Sequence, residues 1–101
     1  MSVYRVVMFK LKKDTSPAAI QAFVDEAKQT MAKFSGVKSY AIGPPLNLAR
    51  TKGFDFGIVM ELEHLDLLAV WESDPNHRKL HNMREAICEE SLAFSLPGSL
   101  S

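Results

Sequence analysis

The chain has 101 residues, enough for one domain whose hydrophobic core is thin but workable. Apolar residues make up 47% and charged residues 24%, ordinary values for a soluble globular domain. Twelve basic side chains balance twelve acidic ones, so no field favours nucleic acid or an anionic membrane surface as a partner.

Tyr4 to Leu11 is rich in β-branched and aromatic residues, carries no breaker, and reads as a strand. Ser16 followed by Pro17 marks a helix start, a cap followed by a first-turn proline. Ile20, Phe23, Val24, Ala27, Met31 and Phe34 then recur at helical spacing until Gly36 supplies a stop. Val37 to Ile42 reads as a second strand, and residues 44 to 53 as a loop with Arg50 and Lys52 on its solvated face. Phe54 to Leu62 is a third strand, with Phe54, Phe56, Ile58, Met60 and Leu62 on one side. Leu65 to Ser73 and Pro75 to about Glu89 read as two short helices. Leu92, Phe94 and Leu96 alternate as a last strand, which Pro97 and Gly98 release into a tail.

Arg5, Lys10, Lys12 and Lys13 interrupt the N-terminal apolar residues, leaving no run long enough for a signal peptide or a membrane span. Cys88 is the single cysteine, so no internal disulfide can form. A cytoplasmic protein is expected, with Cys88 as an inert buried thiol.

Both faces of the first strand are apolar: Val7, Phe9 and Leu11 on one, Tyr4, Val6 and Met8 on the other. Helices can cover only one of them, so a second copy's sheet is the expected cover, and a homodimer follows.

The segment from Trp71 to His77 carries the chemistry. Asp74 fits an N-cap and Pro75 the first helical position, which puts His77 in the first turn. There the dipole and the free N–H groups disfavour an imidazolium, and a neutral imidazole is a usable general base. The structural alternative is a half-buried histidine bonded to backbone. His81 lies one turn on along the same helical face, as a second polar group beside His77 or as a solvated residue. No third ligand accompanies the two histidines and Arg78 stands where a metalloprotease motif needs Glu, so no metal is expected. Arg5 shares the strand face of Val7 and Phe9, where a guanidinium needs an anion or a partner. It clamps a substrate carboxylate, phenolate or enolate, or it snorkels to solvent or pairs with Asp74 or a nearby Glu. Trp71 is core, a stacking wall for an aromatic substrate, or both.

The run Tyr4-Arg5-Val6-Val7-Met8-Phe9-Lys10-Leu11-Lys12, then Thr15-Ser16-Pro17, Gly53-Phe54-Asp55-Phe56 and Asp74-Pro75-Asn76-His77, resembles the stress-responsive A/B barrel, or Dabb, family from about residue 3 to 96. The resemblance implies an α+β, ferredoxin-like fold: a four-stranded antiparallel sheet with helices on one face, pairing with a second copy into a dimeric α/β barrel. In a plant polyketide cyclase of that family, which works without a cofactor, His77 matches the proposed general base. Arg5 stands at a pocket histidine and Trp71 at a functional tyrosine. Val7, Phe9, Phe23, Val24, Ile58 and Leu80 align with apolar pocket walls.

The expected function is a cofactor-free lyase or cyclase acting on an aromatic, polyketide-like or β-keto substrate. In it His77 moves the proton, Arg5 holds the oxyanion, and His81 is a further polar group. The alternatives are a non-catalytic, stress-related or ligand-binding dimer, and a monooxygenase of the same superfold.

Overall fold

The structure, a computed structural model, describes residues 1–98, so the tail expected after Gly98 lies outside the described residues. Val3–Leu11 forms β1, as its β-branched and aromatic run dictates. Pro17–Lys33 forms α1, capped by Ser16, whose Oγ accepts from the Ala19 N–H at 3.1 Å. Phe23, Ala27, Thr30 and Met31 make its buried stripe. Gly36, at φ +105°, turns the chain into β2 (Val37–Gly43). A Cβ at that position would collide with the Leu67 side chain.

The remaining elements are β3 (Phe56–Leu62), α2 (Leu67–Ser73), α3 (Pro75–Ile87) and β4 (Cys88–Pro97). The four strands form one antiparallel sheet in the order β2-β3-β1-β4, the ferredoxin-like arrangement, with helices over one face. Val3, Val7 and Phe9 of β1 and Phe56, Met60 and Leu62 of β3 point into the core. There they meet Phe23, Ala27 and Met31 of α1, Trp71 of α2 and Leu80 of α3.

Three junctions differ from the sequence reading by two residues or more. β3 begins at Phe56 rather than Phe54, because Asp55 leaves the ladder to bridge: its carboxylate accepts from the Leu11 N–H at 2.9 Å. α2 begins at Leu67, since Leu65 and Asp66 belong to a turn in which the Leu67 N–H reaches the His64 carbonyl. α3 stops at Ile87, and Cys88 enters β4 with no loop between them. Pairing to β1 fixes that start, with Leu11 opposite Cys88 and a Lys10–Glu90 ion pair of 3.0 Å.

On the outer sheet face, Tyr4, Val6 and Met8 stand opposite Leu96, Phe94 and Leu92 of β4, with Val59 beside Val6. Phe94 is 43% exposed and Leu96 48%, so this contiguous apolar surface has no cover among the described residues. No helix of the described residues is long and apolar enough to cross a membrane.

Candidate active site

One residue makes the junction between α2 and α3. Asp74 closes α2 and caps α3, its Oδ1 accepting from the Asn76 N–H at 2.8 Å and the His77 N–H at 3.2 Å. The sharp turn sets Trp71, near the end of α2, against His77, in the first turn of α3. Their ring centroids lie 4.6 Å apart with 31° between planes. Phe34 meets the indole edge to face at 5.1 Å, and Trp71 is 4% exposed.

The Trp71 and His77 rings border a cavity of about 130 Å³ between the helices and the sheet. Arg5, Val7, Phe23, Ile58, Trp71, His77, Leu80 and His81 all line it, so most of the residues singled out from sequence converge here. Phe9 and Val24 do not. Phe9, one inward position further along β1 than Val7, is fully buried between Phe23 and Phe56 at 5.6 and 5.4 Å. Val24 is the immediate neighbour of Phe23, and a rotation of about 100° per helical residue turns it to the core's margin.

The lining also includes Met31, Met60, Ala93 and Arg84, which the sequence reading did not single out. Arg84 was within reach of it, because 77, 81 and 84 are spaced by four and three on one helical face. Small side chains at Ala93 and Ser95 on the inward side of β4 were not, since the strand's apolar alternation draws attention to the outward set.

His77 is half-buried, and its Nδ1 is buried with no hydrogen-bond partner among the described residues. Burial lowers its pKa below the ordinary histidine value. The Glu72 carbonyl opposes the shift by hydrogen bonding, and the charges of Arg5 and Arg84, with that of His81 whenever it is protonated, add to it. Asp74 is occupied with helix N–H groups. The site therefore favours a neutral imidazole, with the Glu72 carbonyl beside the ring.

Arg5 Nη1 donates to the Ser95 hydroxyl at 3.4 Å, across the strand pair, and makes no ion pair with Asp74 or any other acid of the described residues. Arg84 Nη2 lies 3.0 Å from His81 Nδ1. A guanidinium can only donate, so this nitrogen accepts and the ring proton belongs on Nε2, 3.6 Å from the Glu85 carboxylate. Cys88 is buried near this cluster. Burial pushes its thiol pKa up, Glu85 adds to that, and Arg84 and Lys12 oppose it. Among the described residues no three His, Cys, Asp or Glu side chains are grouped to hold a metal ion. A larger open groove of about 380 Å³ on the sheet, around Met8, Gly57 and Phe54, has no titratable side chain in its lining.

Residues 3–96 match the family model described as the stress responsive A/B barrel domain, Dabb. The chain belongs to the Dabb family. No curated protein matches this Dabb chain in sequence. Among solved structures it is similar to a dimeric ferredoxin-like protein of unknown function from Thermobifida fusca, with a TM-score of 0.83 at 21% identity over 95% of this chain and 90% of that one. It is also similar to a hydroxynitrile lyase from Passiflora edulis, with a TM-score of 0.85 at 14% identity over 99% and 97% of the two chains. A cofactor-independent oxygenase from Streptomyces nogalater gives a TM-score of 0.76 at 13% identity over 99% and 95%. At such identities the likeness establishes the shared Dabb-type fold and no activity.

Proposed function

We propose that this Dabb protein is a cofactor-free lyase or cyclase that moves a proton at His77. The reading rests above all on an imidazole held neutral, its buried Nδ1 without a partner among the described residues, at the wall of a cavity that is apolar except for Arg5, His81 and Arg84. A neutral imidazole there removes a proton from a carbon or hydroxyl next to a substrate carbonyl, becomes imidazolium, and returns the proton to the product. The Arg5 guanidinium, without a carboxylate partner, holds the negative charge that develops on oxygen. Val7, Phe23, Ile58 and Leu80 enclose the carbon skeleton, and Trp71 fixes the imidazole by stacking on it. Aldol closure, dehydration and decarboxylation of an aromatic or β-keto substrate all draw on this equipment.

The working form is a homodimer. The uncovered Phe94, Leu96 and Val59 surface supports this, as does the dimeric state named for the Thermobifida fusca relative.

The test is proton exchange in deuterium oxide, followed by NMR on a panel of β-keto acids and aromatic ketones. The protein should speed exchange next to the carbonyl of at least one compound, and His77→Ala should slow it by about 10²–10⁴-fold with the fold intact. Equal exchange by a folded His77→Ala protein removes the acid–base role and leaves a ligand-binding dimer.

A further inference from the structure

The cavity contains two guanidinium groups, from Arg5 and Arg84, and no carboxylate in its lining. Arg5 is held only by the Ser95 hydroxyl, at a long 3.4 Å. Arg84 is pinned differently. Its Nη2 serves His81 at 3.0 Å and Glu85 at 3.2 Å, while its Nε is buried without an oxygen or nitrogen partner and the Cys88 thiol, a weak acceptor, is the guanidinium's other neighbour. An arginine in the last turn of a helix also complements the helix dipole, but that role is satisfied with the side chain in water. This one is 14% exposed, and although Glu85 takes one end of the fork, the buried Nε is kept from water with no oxygen acceptor, a cost that a ligand oxygen would relieve.

Size narrows the ligand further. The cavity volume of about 130 Å³ is close to that of an apolar cavity of about 150 Å³ known to hold one benzene molecule. Its walls at Val7, Phe23, Ile58 and Leu80 suit a hydrocarbon ring or a short branched chain.

We propose that Arg84 and Arg5 form a two-point anion clamp, and that the substrate is a carboxylate on a skeleton no larger than one six-membered ring. This rests on the cavity being the reaction site. It goes beyond that reading by naming the substrate class and by making Arg84 a specificity-determining residue. The Arg84 fork, oriented by His81 and Glu85, meets the carboxylate, and Arg5 approaches from the sheet side. The ring then lies against the apolar walls with its reacting atoms toward His77.

Titration calorimetry of the full chain in chloride-free buffer tests this with benzoate and its neutral isostere benzamide. Benzoate should bind at least about tenfold more tightly than benzamide. Arg84→Met should weaken benzoate by about ten- to hundredfold and leave benzamide unchanged, and Arg84→Lys should recover part of the loss. Equal affinities for the two compounds, binding of neither, or unchanged benzoate affinity in a folded Arg84→Met protein overturns the clamp. The wild-type comparison decides the matter even where a variant does not fold. His77→Ala separates the clamp from the acid–base reading: it should keep benzoate affinity within a few-fold while losing proton exchange. If it keeps both, the acid–base role fails and the clamp stands.

Discussion

Trp71 stacks on His77 with 4.6 Å between ring centroids, so the chain's single tryptophan reports directly on the imidazole proposed to move the proton. Protonated imidazole quenches indole emission on contact more strongly than the neutral ring does. Fluorescence should therefore drop on acidification, with a midpoint below the ordinary histidine value of 6.5. The same titration on His77→Ala should be flat across that range. A midpoint at or above 6.5 would contradict the burial argument.

Stability should follow pH in the same direction. The folded His77 binds a proton less readily than the unfolded one, so the unfolded state takes up more protons between the two pKa values. Its contribution is complete above 6.5 and is lost as pH falls through the lowered folded value. Urea melts of wild type and His77→Gln at pH 7.5 and pH 5 check the sign. The wild type should lose more stability on acidification than the variant.

Phe9 separates core from cavity. It is 0% exposed and touches Phe23 and Phe56 without lining the cavity. Phe9→Leu should cost about 1–3 kcal/mol of folding stability and leave benzoate affinity within about twofold. A large affinity loss in a stable variant would place Phe9 in the site after all.

Phe94→Glu probes the outer face. A carboxylate in the middle of the Val6, Phe94 and Leu92 surface remains solvated in a monomer but is buried if a second sheet covers it. Light scattering at micromolar concentration should give dimer mass for the wild type and monomer mass for Phe94→Glu. A wild-type monomer would sink the homodimer.

Asp74→Ala should destabilise the protein by about 0.5–2 kcal/mol, because two first-turn N–H groups lose their acceptor. It should also loosen the Trp71–His77 contact, visible as a weakened pH dependence of the tryptophan emission.

Much of the fold and part of the candidate site are legible in the sequence. Local chemistry is read directly from a chain: the Ser16 and Asp74 caps, the α1 stripe and the two-sided apolar β1 all depend on neighbours in sequence. The start of β4 was hidden because Glu89 and Glu90 favour a helix, and only pairing with Lys10 and Leu11, nearly eighty residues away, overrides them. Arg84 shares the helical face of His77 and His81, but the spacing alone does not single it out. A last-turn arginine has an ordinary explanation in the helix dipole, and only its buried Nε sets it apart. Phe9 and Val24 look like pocket walls to any pattern that records apolar character, since such a pattern does not locate where the core ends and the cavity begins.

β4 serves two environments with alternate residues. Ala93 lines the cavity and Ser95 accepts from Arg5, while Leu92, Phe94 and Leu96 face outward. It is an edge strand held on one side only, by β1. Whatever covers the outer set also steadies the inner set, so the seat of the Arg5 guanidinium shares its rigidity with the association surface. Protein concentration then acts as a control on chemistry: dilution should erode activity per chain while the helices remain folded.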